Sequence, residues 1–202
     1  MTRIKPIRRE DVPELDERYF KPYEAARGYV PNSNLVMARR PRLLEAFRSL
    51  NRAIFDPGGE TPVDLLYMVG NVASQAAGCM YCAAHTANNA RKSGLDAARI
   101  AALWEYETSP LFSDAERAAL RFAQGAASVP NMVTDDDVTE LKRYFSEDQI
   151  VDILAVVCWY GFLNRWNDSL ATELEPAASE FAHATIAARG WTPGKHAPGK
   201  KG

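Results

Sequence analysis

Apolar residues recur at three- and four-residue steps through most of the chain and nowhere alternate with polar ones over the length of a strand. The pattern predicts an all-α protein. Helices are expected near 41–55, 61–76, 80–93, 95–106, 114–128, 135–144, 147–173 and 177–188. Several starts are marked chemically. "SDAE" at 113–116 and "SEDQ" at 146–149 read as capping boxes, in which a serine accepts from the third helical N–H and Glu116 or Gln149 reaches back. "TDDD" at 134–137 is a weaker version whose three acids also suit the positive end of a helix dipole. Residues 1–40, with the turn-rich "GYVPNSN", are expected to wrap the bundle irregularly or in short helices. The expected layout is one helical domain over 1–189, then a flexible tail over 190–202, "GWTPGKHAPGKKG", with almost nothing to bury.

Composition narrows the function classes. A chain of 202 residues, 47% hydrophobic and 25% charged, is ordinary globular material with enough apolar side chains for a real core. Its 24 basic and 26 acidic residues nearly cancel, so no field gathers nucleic acid or an anionic membrane. The first residues lack the apolar core of a signal peptide. The longest apolar run, "ILAVVCWYGFL", falls short of the ~20 residues needed to cross a bilayer. A cytoplasmic protein with no membrane partner is the expectation.

Candidate chemistry concentrates in "GCMYCAAHTANNARKSG" at 78–94, which holds two of the three cysteines and one of the three histidines. An odd cysteine count with a C-x-x-C pair does not resemble a secreted disulfide framework and reads as redox or metal chemistry. Gly78 is expected to end one helix and Cys79 to begin the next, putting both sulfurs in a first turn where the dipole favours a thiolate. His85 follows Cys82 by one turn, with Thr86 and Asn89 nearby. A structural zinc site would need a second close pair of ligands, and none exists, so no metal and no cofactor are expected.

The preceding helix carries a polar stripe, Asp64, Tyr67, Asn71 and Ser74 or Gln75, aimed at the cysteine end. It is either a buried proton path or a solvated face. Cys158 reads as a core residue, His183 as a surface helix residue and His196 as part of the tail. Asn164, Arg165, Asn167 and Asp168 read as a helix-end polar cluster or a subunit contact.

"ASQAAGCMYCAAHTANNARKSGL" resembles the C-x-x-C helix of the alkylhydroperoxidase D-like proteins in the carboxymuconolactone decarboxylase superfamily. "GYVPNSNLVMARRPRLLEAF" and "FLNRWNDSL" resemble flanking segments of its peroxidase-related branch. The resemblance covers most of residues 28–172. It implies a helical bundle, homo-oligomers, and a hydroperoxide substrate reduced at the dithiol. Cys82 would be peroxidatic through a sulfenic acid, Cys79 would resolve it to a disulfide, and His85 would act as the base. A thioredoxin-like or lipoyl-type dithiol would be the reductant. The chain departs from the family pattern at two places. Thr86 stands where a histidine is expected, and Tyr67 stands where a relay glutamate is expected, which makes Tyr67, Asn71 and Thr86 the candidate relay. The alternatives are lactone decarboxylation, which gives the dithiol no role, and a non-catalytic redox-sensing or structural dithiol.

Overall fold

The computed structural model describes residues 2–55 and 59–199. Met1 and residues 200–202 of the expected tail lie outside the described residues. All regular structure among the described residues is helical. Short turns over Pro13–Leu15 and Asp16–Phe20 lead into α1 (Lys21–Arg27), followed by α2 (Asn32–Met37), α3 (Pro41–Ile54), α4 (Val63–Ala76) and α5 (Met80–Lys92). Then come α6 (Ala97–Ala101), α7 (Asp114–Ala127), α8 (Asp135–Leu141), α9 (Glu147–Leu170) and α10 (Pro176–Thr185). The helix expected over 95–106 divides into α6 and a 3₁₀ turn, Leu103–Glu105.

The predicted caps form as chemistry requires. Ser113, Ser146 and Thr134 each accept from an N3 backbone N–H, while Glu116, Gln149 and Asp137 return the bond. The third box is thus complete, because the shorter aspartate still spans the gap.

The core is built around α4, which is buried continuously from Leu65 to Ser74 and packs against α5, α7 and α9. Gly70 makes the α9 contact possible, since a Cβ there would overlap the Tyr160 ring. No helix among the described residues is long and apolar enough to cross a membrane.

Two expectations are corrected. Cys158 is exposed, because α9 is not buried all round: Leu154, Cys158 and Phe162, at four-residue steps, form an outward stripe. The tail is docked over residues 190–199. Trp191 and His196 are 6% and 1% exposed, and Trp191 Nε1 donates to the Met80 carbonyl at 3.0 Å. His196 returns its own carbonyl to the Leu174 N–H at 2.9 Å. Two aromatic rings in a Gly- and Pro-rich stretch suffice to anchor it, because Gly190 and Gly194 adopt positive φ and turn the backbone inward.

Candidate active site

The dithiol is positioned by the way α4 ends. Gly78, at φ 72°, lets the chain reverse while its N–H bonds to Gln75 O at 3.0 Å and the Cys79 N–H bonds to Ser74 O at 2.9 Å. Cys79 is then the N-cap of α5 and Cys82 lies in its first turn. The two thiols lie within hydrogen-bond reach of each other, and Asn167 Nδ2 on α9 donates to Cys82 Sγ at 3.5 Å. Both sulfurs are free and buried.

Burial overturns the expected low thiol pKa. Loss of water pushes Cys82 well above the ordinary thiol range, and the neighbouring Cys79 pushes it further; the Asn167 bond works the other way and does not win.

A cavity of about 70 Å³ reaches Cys82. Tyr23, Phe47, Tyr81, Trp159 and Tyr160 give it aromatic walls, and Arg48, Asn51, His85, Asn89 and Asn167 add polar edges. Phe47 and Trp159 stack at 4.1 Å. Arg48 sits 4.6 Å over the Tyr23 ring, its proton held less firmly because burial penalises the charge. Arg48 Nε, Asn89 Oδ1 and Asn167 Oδ1 are buried without a protein partner, leaving one donor and two acceptors to address a guest.

His85 lines this cavity but makes no hydrogen bond to Cys82 among the described residues; its nitrogens are engaged elsewhere. Nε2 lies 2.6 Å from Glu175 Oε2 and Nδ1 lies 3.1 Å from the Tyr29 hydroxyl. Glu175 also accepts from Tyr81 Oη at 3.0 Å and from the Asn32 N–H. Burial drives Tyr29 and Tyr81 upward in pKa, so both are hydroxyl donors at neutral pH.

The stripe on α4 divides into two separate sets of hydrogen bonds. Tyr67 accepts from Arg27 Nη2 at 3.0 Å and stacks on Phe55 at 5.0 Å. Asn71 donates to Thr86 Oγ1 at 2.8 Å and to Ala83 O at 3.0 Å, and Thr86 Oγ1 in turn bonds to the Cys82 carbonyl at 2.8 Å, not to its sulfur. These bonds tie α4 to α5. Tyr67 is not joined to them.

Three residues that sequence reasoning did not assign to the site complete it. Glu175, not singled out from the sequence, lies between α9 and α10. Ala171 stops α9 in a left-handed conformation at φ 48° and lets the chain fold back. Its sequence signal is slight: a glutamate directly before Pro176, at an N-cap it does not use. Asp168 and His196, read as a surface cluster and a tail residue, stand behind Cys79. One ligand-type atom from each of Cys79, Asp168 and His196 lies within 4.8 Å of the others, close enough to share a small cation or a proton.

Residues 41–125 match the carboxymuconolactone decarboxylase family. The structure of a C82A variant of the debrominase Bmp8 in complex with 2,3,4-tribromopyrrole is similar over 92% of this chain and 98% of that one, with a TM-score of 0.84 and 34% identity. A peroxidase-related protein from Ralstonia eutropha JMP134, with an alkylhydroperoxidase AhpD core, has a TM-score of 0.80 at 21% identity over 90% of this chain and 95% of its own, which speaks for the fold alone. YdfG of Bacillus subtilis (strain 168) is 28% identical over 95 residues, which is 46% of this chain and 63% of that protein. YnjA of Escherichia coli (strain K12) is 27% identical over 92 residues, 46% of this chain and 50% of its own length. The chain therefore spans about half to just under two thirds of these two relatives.

Proposed function

The chain belongs to the alkylhydroperoxidase D-like proteins of the carboxymuconolactone decarboxylase family, and from that premise we propose that it is a dithiol-dependent reductase of a small electrophilic substrate. The observation that supports this is the order of groups along one line: an aromatic cavity, then Cys82, then Cys79 buried behind it. Cys82 attacks the substrate, and Cys79 displaces the captured atom to form a disulfide.

The substrate class with the best support is a flat halogenated aromatic ring. Aromatic walls stack such a ring, and Arg48 and the asparagines address its polar edge. The 34% identical relative is a debrominase whose cysteine-to-alanine variant holds a tribrominated pyrrole. In this reading the sulfur of Cys82 takes the halogen, the carbon takes a proton from the His85 group, and Cys79 expels halide. A C–Br bond becomes C–H, bromide leaves, and two thiols become one disulfide.

A hydroperoxide is the second reading, favoured by the small cavity of about 70 Å³. Cys82 would then pass through a sulfenic acid and Cys79 would release water. Either cycle needs a reductant slender enough for the opening, which favours a lipoyl-type arm or small dithiol over a thioredoxin-like surface. Lactone decarboxylation would leave both sulfurs idle.

The test is a parallel assay with dithiothreitol as donor. Bromide release from a panel of brominated pyrroles supports the first reading. Consumption of hydrogen peroxide or cumene hydroperoxide without bromide release supports the second. Neither activity, with a disulfide that still forms, would leave a redox-sensing dithiol.

A further inference from the structure

We propose that His196 and Asp168 form a second acid–base pair, which protonates Cys79 when the oxidised dithiol is reopened. The proposal rests on the dithiol cycle above.

The tautomer follows from the bonds. His196 Nδ1 lies 2.7 Å from the Thr172 carbonyl, which can only accept, so Nδ1 carries a hydrogen. Nε2 lies 3.0 Å from Asp168 Oδ1. Two bare acceptors would repel at that distance, so a second proton sits between them, on the imidazole or on the carboxyl. Cys79 Sγ lies within 4.8 Å of a ring nitrogen of His196 and a carboxylate oxygen of Asp168. His196 is 1% exposed, so it is not simply traded with bulk water.

The charged and titratable groups facing His196 define its setting. Asp168 comes from α9, with Lys195 on its other oxygen at 3.2 Å. From α5 come Cys79, Cys82 and the Tyr81 ring at 5.7 Å. Glu175, from the connection to α10, is held on the far side of Tyr81 by its own partners. Each sulfur thus has its own histidine–carboxylate pair: His85 and Glu175 on the cavity side, His196 and Asp168 behind Cys79.

Access decides which sulfur needs the proton. Cys82 lines the cavity, whereas Cys79 is 0% exposed and does not. An incoming thiolate attacks Cys82 Sγ, the S–S bond breaks, and its electron pair leaves on Cys79. A buried thiolate without water is costly, and the proton on His196 Nε2 quenches it. The second thiol of the donor then displaces Cys82. The second thiol passes its proton to the departing Cys82 sulfur, and the proton that the donor's first thiol gave up to water returns to the His196–Asp168 pair between turnovers, so the donor dithiol is oxidised by two electrons and the protein disulfide is reduced.

The experiment uses the full chain, oxidised with diamide and re-reduced with dithiothreitol in chelator-containing buffer from about pH 6 to about pH 9. Acid quenching, alkylation and mass spectrometry follow the disulfide. Rates are divided by the thiolate fraction of the donor. For the wild type the corrected rate should decline as the pH rises. Relative to His196→Asn and Asp168→Asn it should be faster by about tenfold or more at the acid end and converge at the alkaline end. A corrected wild-type rate independent of pH overturns the proposal even if a variant fails to fold, and so does a rate ratio that does not change with pH. Failure of diamide to form the disulfide would instead overturn the dithiol cycle itself.

Discussion

His85 Nε2 and Glu175 Oε2 stand 2.6 Å apart although 90 positions separate them in sequence. Glu175→Gln keeps the shape and an acceptor but removes the charge that orients the imidazole and balances it when it shuttles a proton. Turnover of whichever substrate is accepted should fall by about 10²-fold, with the melting temperature little changed. A variant with full turnover would assign Glu175 to packing, as steady-state assays on the purified protein will tell.

The raised pKa of Cys82 fixes a pH dependence. Alkylation of Cys82 by iodoacetamide, read at that residue by mass spectrometry because the exposed Cys158 reacts independently, should be slow at neutral pH and accelerate only above the range of a free thiol of pKa ~8.5. The same shift is a stability statement. The unfolded chain releases this proton at ~8.5 and the folded one does not, so the folded state binds more protons as pH rises and stability is lost from there upward. Denaturant melts of the wild type and Cys82→Ala between about pH 7 and 10 should converge at the alkaline end. Parallel curves would remove Cys82 from the account.

Gly70→Ala should destabilise the protein by about 1–3 kcal/mol, because the added methyl overlaps the Tyr160 ring where α4 and α9 touch. Tyr160 also lines the cavity, so substrate KM should worsen with it. Adding Tyr160→Leu should recover stability but not binding, a split readable by urea titration beside kinetics.

Trp191→Ala should cost about 3–5 kcal/mol, as expected for a buried tryptophan. Its indole donates to the first turn of the cysteine helix, so thiol alkylation should also accelerate. A melting temperature unchanged by the substitution would return residues 190–199 to the status of a loose tail.

The exposed stripe of α9, with Leu154 and Phe162 each 41% exposed, is the face expected to join copies of the chain into a homo-oligomer. Light scattering should give a mass above the 22.4 kDa of one chain, and Leu154→Glu should lower it. A stable monomer at micromolar concentration would sink this expectation.

Local signals were legible wherever neighbours in sequence are neighbours in space. The capping boxes over 113–116 and 146–149 and the turn at Gly78 each involve residues within a few positions of one another, and these stand as read. The cysteine helix and the all-helical fold follow from the same short range. Glu175, Asp168 and His196 were not legible, because their roles depend on where α9 stops and on how residues 190–199 fold back, both decided by packing. Cys158 misled for a related reason: an apolar run this long contains both a core face and an outward one, and the run alone does not say which holds the cysteine. Tyr67 was placed at a relay position by resemblance, and the arginine that bonds its hydroxyl, forty residues earlier in the chain, could not be read from that resemblance.

The three-residue step from Cys79 to Cys82 has a thermodynamic consequence. A disulfide between them would close a ring of four residues, removing about 2 kcal/mol of loop-closure entropy from the unfolded chain, against about 5 kcal/mol for a hundred-residue loop. Cys79 at the N-cap and Cys82 in the first turn of α5 are already neighbours in the reduced protein, so closing the ring needs little rearrangement of α5. The oxidised form should therefore resist unfolding by about 2 kcal/mol more than the reduced one, a small gain for a disulfide, so the redox state would set the chemistry of the pair far more than the survival of the fold.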